Sequence, residues 1–339
     1  WHTFGYDVGM MNEFYELKPG ETVRNVLMYN SPTVLLTDLD RRANFTEGEV
    51  LETGIHASYF GERDLRGGVL TIRLSLSGKV IYRKEVPVDF IENGKISKLY
   101  DLQFTLPAVK KPADMKLYVT LDGDGLFTEN EWELYLFPKV EMPSAGNLLV
   151  TDGMTDKELF DALEAGRDVV IFGTEPFVSR DTSFRISLAG RTSGYLATVI
   201  ADHPVMRDIP HEGFCGWQFA ELLTDGKSVC FDDSVPFNPI VEVAPTHKCV
   251  VRQASLFEYR ALKGRLLVCG FHLDDTDPMA RYLRAVLIKY AQSDAFAPAD
   301  AIDKEGLSAL LSDTYPKTAE NTNFAMNPND ITATRRNKK

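Results

Sequence analysis

The sequence has 339 residues, with 37 basic and 49 acidic side chains, a formal net charge of -12, 44% hydrophobic and 25% charged residues. That balance belongs to a folded chain and excludes global disorder. The acidic excess excludes the basic footprint that nucleic acid requires and disfavours an anionic membrane surface. At roughly 100–200 residues per domain two domains are expected, and no stretch approaches the ~20 continuous apolar residues that span a bilayer.

In chain order, residues 1–30 form a helical prelude, with a helix over Tyr6 to Lys18 that Pro19-Gly20 stops. Residues 31–142 follow. Between about Val50 and Pro138 the apolar residues recur with period two: Leu51, Ile55, Ala57 and Tyr59; Leu70, Ile72, Leu74 and Leu76; Leu102, Phe104 and Leu106; Met115, Leu117, Val119 and Leu121. Such alternation puts one face of each strand on a core and the other in water. Arg66-Gly67-Gly68, Ser77-Gly78-Lys79, Asn93-Gly94 and Asp122-Gly123-Asp124-Gly125 punctuate the runs as turns. The pattern predicts an immunoglobulin-like antiparallel β-sandwich.

After the linker Glu141 to Gly146 the pattern changes, and residues 143–293 read as a second domain. Leu148-Leu149-Val150 is a short apolar strand, Thr155 with Glu158 is a capping box, and Val169 to Phe172 is a second buried strand. Arg265 to Cys269 is a third, followed by a helix that Asp277 caps and Pro278 opens. Strand, helix, strand with uniformly apolar strands predicts a flavodoxin-like α/β domain with a mostly parallel sheet. The fold class expected is therefore β followed by α/β. Residues 294–339 read as a largely flexible tail, with one helical candidate around Leu307 to Leu311 and a charged end.

Several constellations invite chemistry. Asn12-Glu13 could carry a glycosidase carboxylate, but its helical setting offers no second carboxylate on a rigid scaffold. Asp122-Gly123-Asp124-Gly125 imitates a calcium loop and breaks its register, so a turn is preferred. His203, His211 and Cys215 crowd together without a fourth zinc ligand. Asp274, Asp275 and Asp277 read as capping groups before a helix. The four cysteines, Cys215, Cys230, Cys249 and Cys269, form no C-x-x-C pair and read as buried thiols. Exposed rings can stack on sugar faces, which singles out Trp132 and Trp217, with core or interface packing as the plainer role. With His211 and His272 they are the candidate binding residues. No catalytic residue, metal or cofactor is expected.

Asn130-Glu131-Trp132-Glu133-Leu134-Tyr135-Leu136-Phe137-Pro138, Ser31 to Leu36 and Tyr59-Phe60-Gly61 resemble the immunoglobulin-like domain of glycoside hydrolase family 2-type, β-galactosidase-like proteins. His203-Pro204 through Phe219 and Gly264 through Leu283 resemble the class I glutamine amidotransferase-like domain that follows it there. Gly173-Thr174-Glu175-Pro176 lacks the cysteine of an amidotransferase elbow, Gly213-Phe214-Cys215-Gly216 follows no strand, and Phe271-His272-Leu273-Asp274 only partly matches a Phe-His-Pro-Glu segment. The prelude Asp7 to Phe14 looks like the end of a preceding catalytic region. The resemblance implies a non-catalytic accessory region acting in carbohydrate degradation. Its implied partners are a preceding catalytic barrel or its own subunits, with carbohydrate as a further partner and neither nucleic acid nor membrane insertion. It also implies a periplasmic or extracellular place, although the chain shows no leader. The alternatives are a stand-alone carbohydrate-binding or assembly protein, and an amidotransferase-like hydrolase using Cys215.

Overall fold

The computed structural model describes residues 11, 14–18, 20–184, 195–245 and 251–312. The chain divides into two compact units, one made of residues 1–108 with 113–136, the other of 109–112 with 137–339.

The first unit opens with helix α1 (Val23–Tyr29), whose N-cap Thr22 accepts a hydrogen bond from the Asn25 amide. Its strands are β1 (Thr33–Thr37), β2 (Asn44–Thr46), β3 (Val50–Tyr59), β4 (Leu65–Leu76), β5 (Lys79–Ile91), β6 (Lys95–Thr105), β7 (Ala113–Gly123) and β8 (Leu126–Phe137). They form a three-stranded sheet in the order β1-β3-β6 and a five-stranded sheet in the order β2-β8-β7-β4-β5. The alternate positions Leu51, Ile55 and Ala57 of β3, Leu70, Ile72 and Leu74 of β4, and Leu117, Val119 and Leu121 of β7 are fully buried. Two hairpins close on two-residue turns with both residues left-handed: Ser77-Gly78 (φ 45° and 77°) and Asp124-Gly125 (φ 51° and 78°). These backbone angles match the right-handed twist of paired strands.

The helix expected over Tyr6 to Lys18 is absent from the described part of that segment. Met11 instead bridges Leu17, and Tyr15 reverses the chain at φ 64°. The helical turn comes later, after Gly20. Asn12-Glu13 lies outside the described residues.

The second unit comprises β9 (Leu149–Thr151), α2 (Asp156–Glu164), β10 (Val169–Phe172), β11 (Ser179–Asp181), β12 (Tyr195–Ile200), α3 (Ala220–Leu223), β13 (Lys227–Cys230), β14 (Val241–Pro245), β15 (Gln253–Ala261), β16 (Gly264–Cys269), α4 (Pro278–Ala291), β17 (Ala301–Ile302) and α5 (Lys304–Leu311). The capping box of Thr155 and Glu158 opens α2. Among the described residues the strands make one nine-stranded sheet with the path β11-β13-β15-β16-β10-β9.

This sheet corrects the flavodoxin-like, amidotransferase-like α/β expectation and its mostly parallel sheet. Only β9/β10, β10/β16 and β15/β17 run parallel. The pairs β11/β13, β12/β14, β13/β15, β14/β15 and β15/β16 are antiparallel. The physical reason lies in a hairpin. Ala261 pairs with Gly264 across Leu262-Lys263, with Leu262 at φ 55°, so β15 and β16 are antiparallel neighbours. Burial on both faces makes a strand uniformly apolar in either direction, and a leucine in the left-handed position gives no turn signal.

One face of the sheet packs Leu159 and Leu163 of α2 and Leu307 and Leu310 of α5 against Val169, Ile171, Phe257, Leu266 and Val268. The opposite face meets α4, whose Arg284 lies over the Phe172 ring and whose Tyr290 hydroxyl donates to Glu258. Residues 294–312, expected as the start of a tail, thus supply β17 and a helix to the core. The charged end of that tail lies outside the described residues.

Candidate functional site

The candidate residues fall in both units. Trp132 lies on β8 opposite Leu117, on the side of the strand that carries buried Leu134 and Leu136. It is half-buried over the core side. His211, Trp217 and His272 belong to the second unit. There the Gly213 amide donates to His211 Nδ1 at 3.0 Å. Burial lowers the imidazole pKa, and an Nδ1 that accepts from this amide leaves the ring proton to Nε2. Gln218 Nε2 donates to the Pro210 carbonyl, the Ile200 amide to Gly213 O at 2.8 Å, and the Cys215 amide to Thr198 Oγ1 at 2.8 Å. These bonds close the loop that carries His211 and Trp217. Trp217 is 46% exposed, and its ring centroid lies 5.0 Å from that of Phe184. His272 is exposed at the end of β16, where its amide donates to Leu222 O at 2.9 Å.

The other constellations resolve into structural contacts. Cys215 is 5% exposed, and burial pushes its thiol up to about 12. It carries no thiolate at neutral pH and follows no strand, so it is no nucleophile elbow. His203 turns away from His211 and Cys215: its Nε2 lies 3.3 Å from Tyr290 Oη, which donates to Glu258 Oε1 at 3.2 Å. Asp124 meets Arg63 at 3.2 Å and the Arg66 amide at 3.4 Å. Asp274 accepts from Thr276 N and Oγ1, both at 2.7 Å, and Asp277 caps α4 through the Ala280 amide. Among the described residues no group of three His, Cys, Asp or Glu side chains could hold a metal ion. Cys215, Cys230 and Cys269 are free and buried, while Cys249 lies outside the described residues.

The feature that stands out is a groove in the first unit. Val23 and Leu27, one helical turn apart on α1, face Leu126 and Phe127 at the start of β8, with Met28 and Pro32 between them. The cavity measures about 570 Å³. None of the seven residues of α1 is buried. Val23, Leu27 and Phe127 are 65%, 52% and 61% exposed. Polar chemistry holds the helix in place. Arg24 Nε donates to Glu129 Oε1 at 2.5 Å and its Nη2 to Glu131 Oε2 at 3.0 Å, while Asn130 Nδ2 donates to Met28 O at 3.2 Å and to Leu35 O at 2.8 Å. The Arg24 bond holds the Glu129 carboxyl below its ordinary range. Ser31 and Thr128 hydroxyls both donate to Thr33 O. With those polar groups satisfied, the groove presents an apolar wall. The sequence offered one signal, the i, i+4 pair of Val23 and Leu27 behind a Thr cap.

Residues 150–312 match the family described as a domain of unknown function, DUF8487, and residues 49–138 match a second domain of unknown function, DUF8488. No curated protein matches the sequence. Among solved structures, the sporulation control protein Spo0M of Bacillus subtilis is 16% identical, with 32% of this chain and 50% of that one covered and a TM-score of 0.25. A β-glucuronidase of Parabacteroides merdae is 12% identical over 42% of this chain and 21% of that one, at a TM-score of 0.23. A cohesin module of a Clostridium perfringens family 33 glycoside hydrolase is 11% identical over 32% of this chain and 96% of that one, also at 0.23. The chain thus spans half the length of Spo0M and about a fifth of the glucuronidase.

Proposed function

We propose that this chain is a non-catalytic accessory region of a carbohydrate-degrading glycosidase, and that the α1 groove packs against the catalytic barrel. The observation that carries the packing role is the groove itself. A seven-residue helix is marginal alone in water and draws its stability from burying an apolar face. Here that face, Val23 and Leu27, is exposed and continues into Phe127, while Phe14 and Tyr15, just before the helix, are exposed as well. An exposed apolar patch of this kind marks an interaction surface. The segment Asn130 to Pro138, with its resemblance to the immunoglobulin-like domain of glycosidases, supports the carbohydrate reading. In that setting the protein works in the periplasm or outside the cell.

The test is hydrolysis. Purified chain incubated with nitrophenyl β-galactoside and β-glucuronide is expected to release no nitrophenol, and release at an enzyme-like rate would sink the reading. Native chain should also resist iodoacetamide at Cys215, because a buried thiol raised to about 12 offers no thiolate. Rapid labelling would show that the Cys215 thiol is not buried as described.

A further inference from the structure

Three parallel strands of the second unit, β9, β10 and β16, end on the same edge of the sheet, at Asp152-Gly153, Gly173-Thr174-Glu175 and Gly270-Phe271-His272. Their exits diverge. The chain leaving β10 stays on the α2 face, where Phe177 packs with Leu159 and Leu163. The chain leaving β16 crosses to the α4 face, where Arg284 covers the Phe172 ring at 4.5 Å. Phe172 faces away from Ile171 and the α2 core, as alternation along a strand requires. Adjacent parallel strands whose exits go to opposite faces diverge and leave a crevice between them, and here three such strands lie within the mixed sheet.

The strand ends are held close by glycine. A Cβ at Gly173 would lie 2.3 Å from Asp152 O, and one at Gly270 would lie 2.4 Å from Lys227 O. Glu175 lies over Gly153, where an added Cβ would meet Glu175 Oε2 at 3.3 Å. Three charged side chains share this edge: Asp152, Glu175 and Arg284. Arg284 Nε is buried with no hydrogen-bond partner, and Nη1 sits 3.6 Å from Asp152 Oδ1, beyond hydrogen-bond range. Among the described residues neither carboxylate accepts a hydrogen bond. A buried N–H without an acceptor costs its full desolvation, so the arrangement calls for an occupant that supplies one.

We infer that this crevice binds a neutral polyhydroxylated ligand, a saccharide presenting a vicinal diol, through Asp152, Glu175 and Arg284. The charge pattern selects the class. Two carboxylates repel a simple anion, and Arg284, 3.6 Å from Asp152, offsets most of the pull on a cation. A hydroxyl both donates and accepts, so adjacent hydroxyls satisfy Arg284 and a carboxylate together. The inference rests on the carbohydrate-related reading and adds to it a site and a ligand class.

The test titrates the full chain with galactose, glucose, xylose and lactose, and separately with acetate and inorganic phosphate, followed by amide chemical shifts. Binding of at least one sugar, with shifts at Gly153 and Gly173, is expected. Glu175→Gln, an exposed change that leaves the fold alone, should weaken it by about tenfold, the loss of one charge-assisted hydrogen bond. Arg284→Ala should do the same with an unchanged circular dichroism spectrum. No sugar binding to folded wild-type chain overturns the inference, as does sugar binding that ignores both variants, or acetate or phosphate binding at Arg284 in place of sugar. Hydrolysis of aryl glycosides would remove the accessory reading whatever the crevice binds. A chain that neither hydrolyses nor binds sugar loses the site and keeps the accessory reading.

Discussion

The two units solve the same problem, burying β-strands, with different visibility from the sequence. In the first, each sheet has one face on the core, so Leu70, Ile72 and Leu74 are buried between exposed or half-exposed neighbours. In the second, β10 and β16 are covered on both faces, and Val169, Val170 and Ile171 are all fully buried. A period survives only where the two faces differ. Once both are apolar, a strand's direction is decided by its connections, and a mixed sheet looks like a parallel one.

Core truncations test that difference at its largest scale. Phe257 sits at the centre of the ring cluster of the second unit, with centroids 5.0 Å from Phe231, 5.9 Å from Tyr259 and 6.0 Å from Phe177. Phe257→Ala should cost about 3–5 kcal/mol in denaturant unfolding, and Leu117→Ala in the first unit about 2–5 kcal/mol. A cost under about 1 kcal/mol at Phe257 would mean that the mixed sheet is not packed as described.

Glycines sharpen the comparison. Gly78 holds φ 77° with nothing within 4 Å of an added Cβ, whereas a Cβ on Gly264 would lie 2.1 Å from Arg167 O. Gly78→Ala therefore pays only for the left-handed backbone, about 1–2 kcal/mol, and asparagine at 78 should recover part of it. Gly264→Ala forces backbone to move, about 1–3 kcal/mol or more, and asparagine there should be worse than alanine. Recovery by asparagine at both positions would show that space is not what Gly264 provides.

The same contrast sets how much was legible. Ser77-Gly78 and Asp124-Gly125 announced their hairpins through residues that tolerate the left-handed region, and alanine-to-glycine pairing across Leu262-Lys263 announced nothing. Strand β5 went unread because its residues are mostly exposed and show no period. Helix α1 was displaced because Pro19-Gly20 read as the end of a helix while Thr22 begins one. His272 was legible as a candidate and does stand at the end of β16. Asp152, Glu175 and Arg284 were not, because parallel register and a helix from far down the chain bring them to one edge.

Acid should loosen α1 before the sheets beneath it. The Arg24 bond lowers the Glu129 pKa, so its contribution is present above the ordinary carboxylate range and is lost as pH falls through the lowered value. Protection of the Val26 and Asn30 amides, taken relative to their intrinsic exchange rates at each pH, should fall over that interval. Arg24→Ala should abolish that pH-dependent loss of protection while costing no more than about 1 kcal/mol, since Arg24 is exposed and screened. Protection in α1 that does not change with pH in wild-type chain would assign the helix's anchoring to Asn130.

The smallest expected effect bears most directly on function. Leu27→Asp and Phe127→Asp place charge on the groove wall, where both side chains are more than half exposed. If the groove is a free surface, each should change unfolding stability by no more than about 0.5 kcal/mol, because neither removes a buried contact. Both should reduce binding of the dye anilinonaphthalene sulfonate, which reports exposed apolar surface. A loss of more than about 2 kcal/mol at Leu27 would show that α1 gains its stability from this face within the chain. The groove would then belong to the core of the first unit, and the docking role would have no surface to act through.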